Sequence, residues 1–444
     1  MLDIKLFREN PALIKRSIEK RREFEKLAWV DKVIELDKNY RTLVSKAQEL
    51  RQRRNELSMQ INILKKQGSN VFDLLSEAKE IPKQIKEIES EASAIAEEIK
   101  YLQMRIPNIL HESVPYGADD CENVTLRVWG TPKKPDFEQK SHGEVIELLK
   151  VGDFEKASVV SGAGFYYLIG DLALLEQALQ QFAIEILVKK GFKLVQPPLM
   201  LRKKPYEGVT DLSDFENVMY KIEGEDLYLI ATSEHPIAAL MMDETIDEKD
   251  LPLKFVGVSP CFRKEIGSHG VDTRGVFRVH HFNKIEQFVF CKPEQSWAFH
   301  EELIANAEEI FQRLELPYRI VNICTGDIGI VAAKKYDLEV WMPRENAYKE
   351  AVSCSNCTAY QATRLNIKYN TGKGKEYVHT LNSTAIATSR VLRAIIENFQ
   401  NKDESVNVPK VLWPYMHGVK VIGAKPTKER TRREQTMEQE SNKA

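Results

Sequence analysis

Two long apolar seams near the start of the chain limit what it can become. Leu36, Tyr40, Leu43, Ala47, Leu50, Leu57, Ile61 and Leu64 recur in alternating steps of four and three, with Arg54 filling the one gap. Ile81, Ile85, Ile88, Ala92, Ile95, Ile99, Leu102 and Ile106 repeat the pattern unbroken. An apolar residue roughly every 3.5 positions marks a helix that buries a narrow stripe against another helix. From about Val33 to Ile106 Gly and Pro are almost absent, and the strong helix formers Glu, Lys, Gln and Leu crowd the stretch. Gln67-Gly68-Ser69-Asn70 reads as the turn between the two helices. Folding the seams antiparallel sets Leu64 against Ile81, Leu57 against Ile88, Leu50 against Ile95 and Leu43 against Leu102, with Arg54 facing Ala92. Pro82 removes a helix hydrogen bond, so the second helix is expected to kink or to start there. Roughly 30 residues per helix at ~1.5 Å each give an arm of about 45 Å.

Charge is uneven along this arm. Lys38, Arg41, Lys46, Arg51, Arg53, Arg54, Lys65 and Lys66 face only Glu49 and Glu56 in the same stretch, whereas acids prevail from Glu77 to Lys100. A basic helix on a projecting arm suits a phosphate backbone. A solvated coiled-coil surface with neutralising cross-helix pairs would read the same way, and the arm alone leaves both open. The whole chain gives no global pull toward nucleic acid, since its formal net charge is -2. No stretch approaches 18 apolar residues and the first residues lack a signal-peptide core, so a cytoplasmic protein with no membrane contact is expected. The six scattered cysteines read as reduced thiols.

After Pro107 the texture changes. Pro115, Gly117, Gly130, Pro132 and Pro135 punctuate a linker-like stretch. Asp171 to Lys190 reads as an amphipathic helix capped by Asp171, and Phe192–Val195, Leu227–Ile230, Phe255–Phe262, Phe277–Ile285 and Gln287–Cys291 read as strands. Without regular βαβ alternation, this points to an α+β body around an antiparallel sheet flanked by helices. No glycine-rich phosphate loop is present, so any nucleotide must be held by side chains. The run from Phe262 to Gln287 offers such a surface. Arg263 and Glu265 share a face if they lie on a strand, and Arg278, Phe282 and Glu286 share one on the next strand. Arginine suits phosphate, Phe282 a base, and the carboxylates amino groups. A helix is expected from about Ala385 to Phe399, carrying Arg390 and Arg393 beside apolar neighbours, where an arginine would seek an anion.

In this order the segments resemble the three signature motifs of class II aminoacyl-tRNA synthetases. The helix and strand ending at Pro198 resemble the first, FRKE through Glu286 the second, and the segment reaching Arg390 the third. The arm, the Thr232-Ser233-Glu234 triplet and the run KEAVSCSNCTAYQATR make the chain similar to the seryl-tRNA synthetase family over about residues 1–420. That resemblance implies a tRNA-binding domain over 1–112 and a catalytic domain over 113–423, and the polar, charged, aperiodic composition of 424–444 leads to the expectation of a disordered tail. It implies activation of L-serine with ATP and Mg²⁺, then transfer to tRNA(Ser), by a homodimer. ATP would be held by Arg263, Lys264, Glu265, Val279, Phe282, Glu350, Ala351, Val352, Ser353 and Arg390. Within that set Arg263 takes the α-phosphate and the serine carboxylate, Arg390 the γ-phosphate and Glu350 the Mg²⁺. Serine would be held by Thr232, Ser233, Glu234, Arg263, Glu286 and Thr384, and tRNA by the arm and the 266–275 loop.

The sequence departs from the family at Val352, which is expected to offer its backbone, and at Ala359, where a side-chain contact is lost. Cys354 and Cys357 form a lone C-x-x-C without a second pair, so no zinc is expected. Alternation sends His280 and His281 to opposite sheet faces, which favours a structural role over acid–base work. The rivals are a class II synthetase for another small amino acid and a synthetase-derived RNA-binding scaffold without catalysis.

Overall fold

The seams fold as a helical hairpin, α1 (Leu27–Lys66) and α2 (Phe72–Gln103). The computed structural model describes residues 1–211, 218–265 and 275–423. The register differs from the sequence pairing. Leu57 and Ile61 pack with Ile81 and Ile85, and Leu50, Leu74 and Ala78 lie against that cluster. Leu43 and Ala47 line a groove with Ile88, Ala92 and Ala96, so Leu43 lies far from Leu102 and Arg54 does not oppose Ala92. The ion pairs Arg53–Glu77 at 2.7 Å and Arg51–Glu89 at 2.5 Å follow the same register. Relative to expectation, α2 is displaced by about seven residues, one heptad or two turns, so that Leu57 meets Ile81 rather than Ile88. A heptad seam matches itself after every seven residues, so periodicity leaves the register open by such steps. The link decides it. Gly68, at φ 72, follows the end of α1, where Ser69 N–H donates to Leu64 O at 2.9 Å, and the Asn70 side chain accepts from Phe72 N–H at 3.0 Å. Such a tight turn forces the two ends together. Pro82 consequently lies inside α2, which already begins at Phe72.

The hairpin belongs to a unit of Met1–Tyr116 together with Gly329–Ala333. That distant segment joins through backbone bonds, Asn108 N–H to Ile330 O at 2.8 Å and His111 N–H to Ala333 O at 2.9 Å. At the arm's base Arg8 pairs with buried Asp37 at 2.6 Å and holds its carboxyl below the usual range. Along the arm Lys38, Lys46, Arg54, Lys65 and Lys66 are exposed and without a carboxylate partner among the described residues, whereas Arg51, Arg53 and Lys32 pair with acids of α2.

The second unit comprises Gly117–Ile328 and the chain from Lys334 onward. Its strands are β1 (Val124–Trp129), β2 (Lys193–Val195), β3 (Leu253–Phe262), β4 (His281–Cys291), β5 (Tyr318–Asn322), β6 (Lys334–Met342), β7 (Ala347–Thr358) and β8 (His379–Ala387). They form one sheet of eight in the order β1-β5-β6-β7-β8-β4-β3-β2. Every neighbouring pair is antiparallel except β2 with β3. This is the α+β architecture expected. Three longer helices, α3 (Asp171–Lys189), α5 (Ser296–Arg313) and α7 (Thr388–Phe399), pack apolar faces on the sheet, with Phe182, Phe311 and Leu392 in one core with Ile285, Val289 and Leu338. Two short helices, α4 (Glu234–Ala239) and α6 (Tyr360–Leu365), serve a second core beside it. No helix among the described residues is long and apolar enough to cross a membrane.

Several boundaries move. β3 ends at Phe262, so Arg263 and Glu265 lie beyond it, and Glu265 takes the left-handed φ of 46. Alternation therefore cannot place them on one face. Two expected strands are a single β4 from His281, which leaves Arg278 exposed and off the sheet rather than in line with Phe282 and Glu286. Residues 385–387 remain in β8, and α7 starts only at Thr388. Asp171 is the first residue of α3 rather than its cap, which is Gly170. Most of the 266–275 loop and the 424–444 tail lie outside the described residues.

Candidate active site

β4 carries the centre of the site on one alternating face: Phe282, Lys284 and Glu286. Across the ladder Glu286 lies between Gly257 of β3 and Thr384 of β8, Lys284 between Ser259 and Ala387, and Phe282 opposite Cys261. Glycine is required at 257. A Cβ there would come within 2.5 Å of Ile237 Cδ1 and 2.7 Å of Ser233 Oγ, so its absence lets α4 sit against Glu286. Two ladders of the site are irregular. The β4–β8 register slips at Ala385, just after Thr384, and the β6–β7 register slips at Ala351, just after Glu350. Such bulges re-aim the side chains next to them.

One half of the site is a buried acid pocket. Glu234 opens α4 and accepts from Gln361 Nε2 at 2.8 Å and Asn382 Nδ2 at 3.0 Å. Burial, aided by the nearby charge of Glu286, pushes its carboxyl up to about 7. Glu286, only 1% exposed, is also pushed up by burial, while Lys284, Arg263 and Thr384 pull against that. Lys284 Nζ lies 2.5 Å from Glu286 Oε2 and donates to Thr232 Oγ1 at 3.2 Å. Thr232 Oγ1 also accepts from Glu234 N–H at 3.2 Å. Burial and the same cations drive His235 down to about 3, so it is neutral beneath the pocket, its ring 4.8 Å from that of Tyr206. Ser233 is fully buried against Gly257.

The other half is cationic. Arg390, in the first turn of α7, reaches Glu350 of β7, with Nη1 donating to its backbone O at 2.8 Å and lying 3.1 Å from Oε2. Arg390 and, more weakly, Lys335 hold the Glu350 carboxyl down at about 2 although burial opposes them. Glu350 keeps 41% of its side chain exposed, and a fixed anionic oxygen donor of this kind suits a hard divalent cation such as Mg²⁺. Arg393, by contrast, is buried and satisfied by Glu397 at 2.7 Å and by Glu345, so its anion is internal.

Arg263 stands between the halves. Its guanidinium lies 5.3 Å over the Phe282 ring and donates to Ala231 O at 3.4 Å, and its charge stabilises the ionised forms of Glu234, Glu286 and Glu350 alike. Glu265 is near enough to raise Arg390. Lys264 is tied by its backbone N–H to Val218 O at 2.9 Å. Val279 and Phe282 share an apolar cluster with Cys261 and Ala387. Ala351 and Val352 send their side chains into the main core, which leaves only their backbone for a ligand, while Ser353 lies across from Asp337.

The histidine pair is occupied structurally. His280 Nδ1 is 2.7 Å from the Tyr220 hydroxyl and its ring stacks on Phe165, while His281 stacks on Phe262. Burial raises both thiols of the C-x-x-C pair, and Cys357 Sγ accepts from Asn382 at 3.7 Å. The sequence reading missed Lys284, Gln361, Asn382 and Gly257. Lys284 had a usable signal, lying two residues from Glu286 on a strand; the others depend on long-range pairing.

Comparison with known proteins separates the same two regions. Residues 1–110 match the family described as the seryl-tRNA synthetase N-terminal domain, and residues 218–399 match the tRNA synthetase class II core domain (G, H, P, S and T). The serine–tRNA ligase of Methanocella arvoryzae is 60% identical over 425 residues, covering 95% of this chain and 100% of that protein. That of Thermococcus onnurineus is 52% identical over 437 residues, covering 94% and 96%. Among solved structures, the seryl-tRNA synthetase from Pyrococcus horikoshii complexed with ATP matches with a TM-score of 0.89 at 49% identity, covering 95% of this chain and 99% of that one.

Proposed function

The chain belongs to the seryl-tRNA synthetase family, and on that premise we propose how its residues divide the reaction. It is a serine–tRNA ligase: it activates L-serine with ATP to seryl-adenylate, releases pyrophosphate, and passes serine to the 3′-terminal ribose of tRNA(Ser). The observation that carries the assignment is Arg263, which acts on the acid pocket on one side and on the Glu350–Arg390 pair on the other. Serine sits with its ammonium and hydroxyl among Thr232, Glu234, Glu286 and Thr384, beside Ser233, and its carboxylate against Arg263. Its carboxylate oxygen attacks the α-phosphorus as the bond to pyrophosphate breaks. Two anions meet in that step, so Arg263 and Arg390 offset the charge in place. No side-chain nucleophile is needed, and positioning supplies much of the rate. In the second step a ribose hydroxyl attacks the seryl carbonyl and AMP leaves.

Adenine lies against Phe282 with Glu265 and the backbone of Val279 at its edge, and the phosphates run past Lys264 and the backbone of Ala351, Val352 and Ser353 toward Arg390. Glu350 is the residue that would hold Mg²⁺, which when bound neutralises phosphate charge. Alanine in the pocket would strand the acids and hydroxyls, a penalty of ~10⁴-fold. The hairpin is the tRNA-binding part, because Lys38, Lys46, Arg54, Lys65 and Lys66 offer unneutralised cations along one helix. Val159 at 78% and Val160 at 62% exposure, with Tyr167 and Ile169 nearby in sequence, support a homodimer face beside the first motif. A cytoplasmic location fits this work.

The test is amino-acid-dependent pyrophosphate exchange across the twenty substrates. Serine alone should stimulate it, and Arg263→Ala should remove nearly all adenylate formation. Stimulation by threonine or proline instead would overturn the substrate; full activity in Arg263→Ala would remove the phosphate assignment.

A further inference from the structure

The site holds a buried ammonium that the reaction as described does not use. Lys284 is 10% exposed at its side chain, fixed by β4 two residues from Glu286, and flanked across the ladder by the small Ser259 and Ala387. It contacts Glu286 Oε2 and Thr232 Oγ1, two of the groups assigned to the substrate. We propose that Lys284 is a positioning residue of the serine pocket: it keeps Glu286 an ionised acceptor for the substrate ammonium and fixes the Thr232 hydroxyl. The proposal rests on the serine pocket argued above.

The charge balance supports it. The charges of Glu234 and Glu286 are opposed by those of two nearby cations, Lys284, which pairs with Glu286, and Arg263, which is assigned to anionic substrate groups. A carboxylate as buried as Glu286 is costly to ionise without a counterion and takes up a proton instead. Once protonated it would present a donor toward an ammonium that is itself all donors. The groups facing Glu286 are Glu234 from α4, Cys261 of β3, Arg263 just beyond β3, Cys354 of β7, Thr384 of β8 and Lys284 on its own strand. Of these only Arg263 and Lys284 favour the anion by charge. Lys284 also makes Thr232 Oγ1 an acceptor, which leaves that hydroxyl's proton free to point elsewhere in the pocket.

The test compares Lys284→Met, Lys284→Gln and Lys284→Arg with the parent in serine-dependent pyrophosphate exchange from pH 6.5 to 9, with serine and ATP KM measured separately. For Met and Gln, serine KM should rise about tenfold or more at pH 6.5 and by progressively less toward pH 9, as Glu286 regains its charge. ATP KM should stay within about twofold, and Arg should keep the parental profile. A ratio of variant to parental serine KM that is constant with pH, a parallel rise in ATP KM, or an unchanged serine KM would each overturn the proposal. If Lys284→Met fails to fold, Lys284→Gln carries the same comparison. Absence of serine-dependent exchange in the parent would instead refute the pocket assignment itself.

Discussion

Glu234 should make the free enzyme less stable as the pH rises, and replacing it should reverse that loss. Its carboxyl is pushed from the ordinary 4.5 to about 7, chiefly by burial. Between those values the folded chain binds more protons than the unfolded one, so stability falls as pH rises through the window and the loss is complete above pH 7. The difference corresponds to about 3 kcal/mol. Part of the Glu234 surface is open to solvent, which screens some of it and leaves about 2 kcal/mol. Glu234→Gln cannot ionise, and its amide oxygen can still accept from Gln361 and Asn382. Urea unfolding at pH 8.5 should therefore show the variant more stable than the parent by about 2 kcal/mol, with the gap shrinking below ~1 kcal/mol at pH 5. Saturating serine should narrow the gap at pH 8.5, because its ammonium gives the parental carboxylate a partner. Serine activation should be lost in the variant, a trade of function for stability. Equal stability at pH 8.5, or the same gain at both pH values, would refute the electrostatic account of Glu234.

Gly257→Ala would drive a methyl to within 2.5 Å of Ile237 Cδ1 and 2.7 Å of Ser233 Oγ, so serine KM should rise while ATP KM holds. Unfolding should register a cost of about 1–3 kcal/mol from overpacking. The observed hairpin register shows where the arm can be shortened: Ala47 and Ile88 line one groove, so excising residues 48–87 with a short glycine link should leave the base intact. Serine-dependent exchange should stay within about twofold while tRNA charging falls at least tenfold, since the cations at 54, 65 and 66 are removed. Equal loss of both activities would make the arm a folding element.

The hairpin shows how far periodicity reaches and where it stops. Seam positions such as Ala47, Leu57, Ile81, Ile85, Ala92 and Ile99 are all buried as the heptads require. Their pairing was not legible, because sliding by one heptad costs the pattern nothing. The information lay in Gly68 and Asn70, whose turn geometry makes the link too short for the register paired from the seams alone. In the body only β2, β3 and β4 of the eight-stranded sheet were legible as strands, and their ends were not; β1, β5, β6, β7 and β8 went unread. Phe277 looks like strand sequence but packs its ring under Arg390 and Arg393, at 5.7 and 4.6 Å, so a tertiary cation–π contact outweighs β-propensity. Ala385 to Ala387 suit a helix by propensity but continue β8 through a bulge beside Glu286.

The acid pocket explains why a motif finds some site residues and not others. Thr232, Glu234 and Glu286 are the groups proposed to touch serine, and local sequence displays them. Gln361 comes from α6 and Asn382 from β8, and each matters only because it donates to Glu234. Burial and Glu286 push the Glu234 carboxyl up, while Lys284, the Gln361 donor and Arg263 favour its anion, so it stands near 7. Glu234, poised near 7, and Glu286, raised by burial, stand among a lysine, one arginine and amide donors and can exchange internal partners for a substrate ammonium at small cost. A pocket with one fully ionised acid locked to one base could not. The acid pocket, the proposed serine side, is thus balanced to be completed by a cation, while the Glu350–Arg390 side, held ionised at about 2, stays charged.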